Sequence, residues 1–291
     1  KKVKAIIKYP GSKWRLSSWI ISHFPKHHSY LEPFFGSGAV FFNKPPSDIE
    51  TINDLDDDVI NLFDCIRRDP ERLARELYLT PYSRAIYDQA FTTAPDDPFE
   101  RAVNFYIRLN MGYGYRTDGR KVGWKNDVNG RERAYDVKGW NTLPDRIMEA
   151  ARRLKDAQIE HMDAIELIRR FNRSDVLIYC DPPYMLRTKR GKQYKYELDD
   201  AEHEELLDTL LEHKGPVILS GYDNEMYTKK LRGWNREEKM AYNQAANKKC
   251  EVLWMNFDPE PYQPYQPEWT AAQRPEWKDR MLHTFLGGHH D

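Results

Sequence analysis

The feature that most constrains the fold is a short apolar run that ends in two consecutive prolines. Residues Val176–Cys180 read Val-Leu-Ile-Tyr-Cys, and Asp181-Pro182-Pro183-Tyr184 follows directly. A short run that is apolar at every position is consistent with a strand buried on both faces of a parallel sheet. The prolines stop that strand and fix the backbone, so the carbonyl groups of Asp181 and Pro182 point in set directions.

The residue types after this strand could bind a planar ring that carries an amino group. The carboxyl edge of a doubly wound sheet is where such folds bind ligands. An amine could donate its N–H groups to the acceptors of Asp181 and Pro182, while the face of the ring rests on Tyr184. A plain strand-ending turn remains the alternative, because Pro-Pro often closes strands.

Strand-like and helix-like segments alternate along most of the chain. The first five strand-like segments are Ser29–Pro33, Ile49–Asp54, Gln158–Met162, Asp175–Cys180 and Pro216–Ser220. Two further β-like stretches, Arg236–Tyr242 and Cys250–Phe257, would complete the sheet. The alternation predicts an α/β protein with a doubly wound, mostly parallel sheet.

Residues 70–139 do not fit the alternation. Asp97-Pro98-Phe99-Glu100 has the sequence of a capping box with proline at the first helical position, and Met111–Asn129 is rich in glycine, tyrosine and basic residues, as in an irregular hairpin. We predict a small, mainly helical inserted domain over 70–139, a main domain that contains the sheet and is formed by 1–69 and 140–257, and a C-terminal arm over 258–291. Insertions on such a scaffold usually carry recognition.

Composition restricts the class of protein and the kind of partner. The chain has 291 residues, 31% of them charged, with neither a membrane-length apolar run nor a signal-peptide pattern, so we expect a cytoplasmic protein without a membrane partner. Cys65, Cys180 and Cys250 form no metal-type pair, and we expect reduced thiols and no metal site. The net charge is only −1, but residues 108–138 and 187–195 are basic and carry aromatics. These two segments favour a polyanionic partner.

A glycine-containing turn follows the first predicted strand. Glu32-Pro33-Phe34-Phe35-Gly36-Ser37-Gly38 lets a ligand approach the backbone closely, and the second strand ends at Asn53-Asp54, where dinucleotide-type folds place an acid for ribose hydroxyls. Position 41 is Phe41, so the pattern is not Gly-x-Gly-x-x-Gly, and no phosphate loop occurs. A nucleoside cofactor without phosphate is favoured over an ordinary tight turn.

The order of four motifs resembles the Dam-like (D12 class) DNA adenine-N6 methyltransferases. The motifs are Tyr9-Pro10-Gly11-Ser12-Lys13, the Glu32–Gly38 turn, Asn53-Asp54 and Asp181-Pro182-Pro183-Tyr184. The match extends over nearly the whole chain, including the position of the insertion, and the motifs are specific as a set. The resemblance implies an S-adenosylmethionine-dependent enzyme that methylates adenine in double-stranded DNA.

The resemblance also implies roles for individual residues. Its cofactor positions are Tyr9, Lys13, Glu32, Pro33, Phe34, Gly36, Gly38, Asp54, Asp163 and Asp181, although Asp163 could equally be a plain helix cap. Its catalytic positions are Asp181, Pro182, Pro183 and Tyr184, acting on a target base flipped out of the duplex at a cost of a few kcal/mol. Its DNA-binding candidates are Lys8, Asn110, Arg116, Arg120, Lys121, Lys125, Arg187, Lys189 and Arg190.

Other functions stay open at this point. Cytosine-N4 or RNA methylation would use the same fold, although Asp181 disfavours both, because related enzymes with those acceptors more often carry Ser or Asn before Pro-Pro-Tyr. A non-catalytic DNA-binding relative is the third hypothesis, and intact motifs at every cofactor position argue against it. We expect a monomer. The pattern fits a restriction-modification system, a phage or a housekeeping pathway equally.

Overall fold

The computed structural model describes residues 4–130, 135–185, 193–242 and 248–260. Within them a seven-stranded sheet forms the centre of the molecule, in the order β3-β2-β1-β4-β5-β7-β6. Its strands are β1 (Ser29–Glu32), β2 (Ile49–Asn53), β3 (Gln158–Glu160), β4 (Val176–Cys180), β5 (Val217–Gly221), β6 (Asn235–Tyr242) and β7 (Lys248–Met255). The first five pair in parallel and β7 pairs antiparallel with both β5 and β6. The predicted α/β fold with a doubly wound, mostly parallel sheet is confirmed.

The chain order reverses between β1 and β4, which lie side by side. Leu31 of β1 pairs with Ile178 of β4, and β2 lies on the other side of β1. The segments after Glu32 and Cys180 therefore leave the sheet at neighbouring points of one edge. This is the switch point where open α/β sheets form a crevice for ligands.

Helices cover both faces of the sheet. They are α1 (Ser17–Ile21), α2 (Asp57–Arg68), α3 (Pro70–Leu79), α4 (Arg84–Gln89), α5 (Pro98–Met111), α6 (Val137–Asn141), α7 (Leu143–Leu154), α8 (Ala164–Arg170), α9 (Asp200–Leu211) and α10 (Glu225–Lys230). The predicted start of α5 is confirmed, because the Asp97 carboxylate accepts from the backbone N–H groups of Phe99 and Glu100. No described helix is both long and apolar enough to cross a membrane.

The glycine turn after β1 is followed by further turns and not by a helix. Residues 39–43 form turns. Gly36 and Gly38 have φ angles of 46° and 64°, and the rings of Phe41 and Phe42 are buried and packed edge to face at 5.2 Å. The local backbone thus follows the burial of two adjacent aromatic side chains, which a regular helix would direct to different faces.

The helices of the predicted insertion share a core with the catalytic sheet. Buried side chains of α3 and α5, such as Leu73 and Phe105, belong to one hydrophobic cluster with Phe63 of α2 and Ile147 of α7. A second cluster on the other face of the sheet contains Trp254. The predicted domain boundary near residue 70 therefore separates segments that pack on one another.

The basic segment after α5 folds back on itself as a hairpin-like loop. Gly112 and Trp124 form an isolated antiparallel bridge, and the Lys125 N–H donates to the Met111 carbonyl at 2.7 Å. At its far end the Thr117 N–H donates to the Gln193 carbonyl at 3.0 Å. The irregular hairpin is confirmed, and it contacts the segment that follows the Asp-Pro-Pro-Tyr motif. Of the predicted C-terminal arm, only residues 258–260 fall within the described ranges.

Candidate active site

A cleft of about 950 Å³, counted to its open mouth, lies at the carboxyl edge of β1, β2 and β4. Nine of the ten predicted cofactor residues line it: Tyr9, Lys13, Glu32, Pro33, Phe34, Gly36, Asp54, Asp163 and Asp181. Its walls combine aromatic rings with a few polar groups, as is usual for small-molecule sites. The folded chain therefore brings together residues that lie as far apart in the sequence as Tyr9 and Asp181.

The floor of the cleft is a turn braced by Asp54. One carboxylate oxygen of Asp54 accepts from the Gly36 N–H at 2.8 Å, and the other accepts from the Asp56 N–H at 2.9 Å. Burial raises the pKa of Asp54, while these two backbone donors hold it down. Each carboxylate oxygen can accept more than one bond, so Asp54 can brace the turn and still accept from a ligand hydroxyl.

The two glycines of the turn have different reasons to be glycine. Both need positive φ, and a Cβ on Gly36 would lie 3.0 Å from the Tyr9 ring that lines the cleft. Gly38 does not line the cleft. A Cβ there would lie 2.5 Å from the Phe35 ring and 2.7 Å from the Phe42 ring, both of them buried. Gly38 was expected to contact the cofactor. In the structure, the packing of the Phe35 and Phe42 rings is what requires glycine at this position.

Lys13 is a buried cation between the buried Glu251 and the partly exposed Asp181. Its Nζ donates to the Gly11 carbonyl at 2.9 Å and lies 3.0 Å from Asp181 Oδ1 and 3.5 Å from Glu251 Oε1. Burial alone would lower the pKa of Lys13, but the carboxylates of Asp181 and Glu251 raise it above its ordinary value. The lysine is therefore charged and holds the two acids together.

Asp181 and Glu32 are carboxyl groups with raised pKa values. Burial raises the pKa of Asp181 to about 6; the Lys13 ammonium opposes this and the charge of Glu251 adds to it. Burial raises the pKa of Glu32 to about 8, although the Tyr30 hydroxyl, which donates to Glu32 at 2.7 Å, opposes the shift. Perturbed acids in a cleft are a common mark of a functional site.

Tyr184 follows the motif's prolines and does not line the cleft. Its hydroxyl donates to Glu251, and its ring packs at 4.3 Å, centroid to centroid, against Tyr222 after β5. These rings border a small hollow of about 170 Å³ that Met185 also lines, whereas Pro182 is buried and Pro183 faces the main cleft. Asp181 thus lines the cleft, and the aromatic pair of Tyr184 and Tyr222 lies close to it in the chain and in the fold.

Several residues of the site were not predicted from the sequence. Glu251 is one, and its only sequence signal is an acid inside the apolar strand β7. Tyr194 and Tyr196 are two more: both line the cleft from the segment after the motif, and the Tyr194 hydroxyl lies so close to Gly11 that no Cβ would fit there. Asp163, which was predicted, both lines the cleft and caps α8 by accepting from the Glu166 N–H at 2.9 Å.

The DNA-binding candidates divide into three groups. Asn110 and Lys125 are buried, with Lys125 Nζ donating to the Asn110 carbonyl at 3.1 Å and lying 4.2 Å over the Tyr115 ring, so neither faces a DNA surface. The prediction that Asn110 and Lys125 contact DNA is therefore corrected, because both side chains are buried and hydrogen-bonded within the protein. The candidates with accessible charge all pair with acids: Lys8 with Asp136, Arg116 and Arg120 with Asp118, and Lys121 with Asp88. Arg187, Lys189 and Arg190 lie outside the described residues.

Known proteins resemble this chain over most of its length. The DNA adenine methylase of Salmonella typhi is 28% identical over 278 residues, covering 89% of this chain and 97% of that protein. The DNA adenine methylase of Escherichia coli K12 is 27% identical over 263 residues, covering 82% and 87%. A solved SAM-dependent methyltransferase from Agrobacterium tumefaciens has 11% identity and a TM-score of 0.38, covering 85% of this chain and 61% of that one. That score is too low to support any argument.

A family model gives the more specific result. Residues 9–245 match the model of the D12 class N6 adenine-specific DNA methyltransferases. The matched range begins at Tyr9, includes Asp181-Pro182-Pro183-Tyr184 and ends between β6 and β7. The family assignment therefore covers the cleft, its glycine turn and the motif that carries Asp181. This chain belongs to the D12 class of N6 adenine-specific DNA methyltransferases.

Proposed function

We propose that the chain transfers the methyl group of S-adenosylmethionine to N6 of an adenine flipped out of duplex DNA, with Asp181 as the catalytic carboxylate. Adenine methylation of DNA and the use of S-adenosylmethionine follow from the family. Base flipping, the duplex substrate and the residue roles are our additions. The observation that supports them most is that Asp181 lines the cleft together with the predicted cofactor residues, while its chain neighbour Tyr184 packs against Tyr222.

The residues of the cleft fit a nucleoside that carries a short amino-acid chain. Asp54 can accept from ribose hydroxyls, Asp163 can accept from the exocyclic amine of the cofactor's adenine, and the Gly36 backbone permits close approach. Tyr9 and Tyr196 offer aromatic surface. When bound, S-adenosylmethionine supplies an electrophilic methyl group on a sulfonium centre. Lys13 was expected at the polar end of the cofactor, but its ammonium is committed to Asp181 and Glu251, so we assign it chiefly to holding the acid.

Asp181 would act on the target amine by accepting its N–H. The lone pair of an adenine amine is delocalised into the ring, which makes the nitrogen a poor nucleophile. Hydrogen bonds from the amine to Asp181 and to the Pro182 carbonyl favour the pyramidal nitrogen that attacks, and the negative charge offsets the positive charge that develops on it. Tyr184 would stack on the base and fix its plane. The nitrogen releases one proton after the new N–C bond forms, and Asp181 can receive it.

Labelled methyl transfer to duplex oligonucleotides tests this function. We expect N6-methyladenine in the digested product, and we expect Asp181→Asn to lower kcat by about 100-fold or more. The matched control is Asp96→Asn, the same change at an exposed aspartate before α5. N4-methylcytosine, methylation of RNA alone, or cofactor binding without turnover would each contradict the proposal and identify the alternative activity.

Base flipping and oligomeric state need separate measurements. 2-Aminopurine in place of the target adenine should become more fluorescent in the complex, because unstacking removes its quenching. Because 2-aminopurine has no 6-amino group, methylation is measured on the matching adenine duplex; a fluorescence that stays quenched under conditions in which that duplex is methylated would contradict flipping. We propose a monomer in the cytoplasm; analytical ultracentrifugation with and without duplex would contradict this if the active species sediments as a dimer.

A further inference from the structure

Glu251 is a buried acid in a strand that is otherwise apolar on its covered side. It lies in β7 beside Val252, which pairs with Gly221 of β5, and Glu251 is only 4% exposed. A carboxylate that loses water in this way is costly unless it is paired and hydrogen-bonded. Its partners therefore decide what this residue does.

Both partners of Glu251 belong to the candidate active site. Its Oε1 accepts from the Tyr184 hydroxyl and lies 3.5 Å from Lys13 Nζ, and the same Nζ lies 3.0 Å from Asp181. Lys13 Nζ also lies 4.7 Å from the centroid of the Tyr184 ring. Glu251 itself does not line the cleft. It touches the two side chains that hold Asp181 and the ring beside it.

We propose that Glu251 is a positioning residue for methyl transfer: its carboxylate holds the Lys13 ammonium and the Tyr184 hydroxyl, so that Asp181 and the Tyr184 ring meet the target base in one arrangement. This inference rests on the proposed function. Without the charge of Glu251, the ammonium would pair with Asp181 alone and compete with the target amine for its oxygens. Without its oxygen, the Tyr184 hydroxyl would lose a buried acceptor.

The charge of Glu251 also acts on the protonation of Asp181. It raises the pKa of Asp181, whereas Lys13 lowers it. The other titratable groups that interact with Asp181 are Glu32, Tyr179, Cys180, Tyr184, Tyr194, Tyr222 and Tyr227. Burial raises the pKa of each of these groups, that of Glu32 to about 8, so all of them stay largely neutral near pH 6. Asp56 also lines the cleft, and burial raises its pKa to about 7. The part of the acid limb that moves when Glu251 loses its charge therefore reports Asp181.

Glu251→Gln separates the charge from the hydrogen bond. The amide has the same size and can still accept from Tyr184, but it cannot offset the Lys13 charge. We expect kcat to fall by about 10- to 100-fold, with the S-adenosylmethionine Kd within about threefold of wild type by calorimetry. The half-maximal pH of kcat/KM, which reports the free enzyme, should move to lower pH. The control is Glu237→Gln on the neighbouring strand β6, where the side chain is exposed and wild-type values are expected.

The outcomes distinguish this inference from the proposed function. Wild type that methylates no adenine refutes both; active wild type with an unchanged Glu251→Gln variant refutes the inference alone. A variant that loses cofactor binding and activity together, with its acid limb unmoved, would make Glu251 merely structural. If the amide variant does not fold, Tyr184→Phe tests the same contact. Its kcat should fall and its acid limb should move to higher pH, opposite to Glu251→Gln, because the Tyr184 hydroxyl lowers the pKa of Asp181 and the Glu251 charge remains. Unchanged kcat in that variant would overturn the inference.

Discussion

Replacing Lys13 with methionine should expose how much the buried charges depend on one cation. Lys13 and Glu251 have side chains that are 5% exposed, and that of Asp181 is 18% exposed. Removing one partner of a buried ion pair costs about 3–5 kcal/mol, because the remaining charge stays buried without compensation. We therefore expect Lys13→Met to lower the free energy of unfolding by about 3–5 kcal/mol at pH 8.

The loss of stability in Lys13→Met should depend on pH, because the protonation of Asp181 decides how much uncompensated charge remains buried. The pKa of Asp181 is raised from 3.8 to about 6 in the folded chain, and Lys13 holds it down, so the variant should have a still higher value. A carboxyl group with a raised pKa binds its proton more tightly in the folded state, and stability rises as pH falls through that pKa. At pH 5 the variant carries a neutral Asp181, so Lys13→Met should cost less there than at pH 8.

Urea unfolding followed by circular dichroism at the two pH values measures this difference. Lys26→Met, the same change at an exposed lysine, controls for the loss of a positive charge. An equal loss at both pH values would refute the reasoning. So would a loss below about 1 kcal/mol at pH 8, which is the size of an exposed ion pair.

Three further predictions follow from individual contacts. Gly38→Ala should lower the free energy of unfolding by about 2–4 kcal/mol, because Gly38 has a positive φ and its new Cβ would meet the Phe35 ring. Calorimetry should find the affinity for S-adenosylmethionine nearly unchanged; a large loss of affinity would show that Gly38 contacts the cofactor. Lys125→Met should lower the melting temperature without changing the salt dependence of DNA binding, because Lys125 is buried. Arg120→Gln should reduce the slope of log K against log salt by about 1. The reverse pattern would contradict the assignment of Lys125 to the interior and of Arg120 to the DNA-binding surface. The kcat/KM of the wild type should rise with pH through about 6 as Asp181 ionises; a midpoint near 4 would contradict its environment.

The sheet could be predicted because its central strands are bounded by residues that stop them. The run Val176–Cys180 and the prolines after it fix both the type and the end of β4. The sequence pattern alone could not predict the backbone conformation after Gly38. There the chain forms turns that bury the rings of Phe41 and Phe42, and this burial outweighs the local preference for a helix. Nor could it indicate that the helices of residues 70–139 share a core with the sheet, because that packing depends on contacts distant in sequence.

The same distinction applies to the site. Residues near the ends of β1, β2 and β4 could be predicted, since neighbouring parallel strands bring their carboxyl ends together. Glu251 could not, because its partners Lys13 and Tyr184 come from other parts of the chain and β7 reaches them only through its antiparallel pairing with β5. Lys125 was misjudged for a similar reason: a lysine in a basic stretch is usually exposed, and only the folded hairpin supplies the carbonyl and ring that bury it.

A crystal structure of the chain with S-adenosylhomocysteine and an adenine-containing duplex would test the central claim most directly. The account predicts the cofactor product in the cleft against Gly36 and Asp54, with the amine of an unstacked adenine within about 3 Å of an Asp181 oxygen. A product bound elsewhere would contradict the account, as would a target adenine whose amine lies away from Asp181.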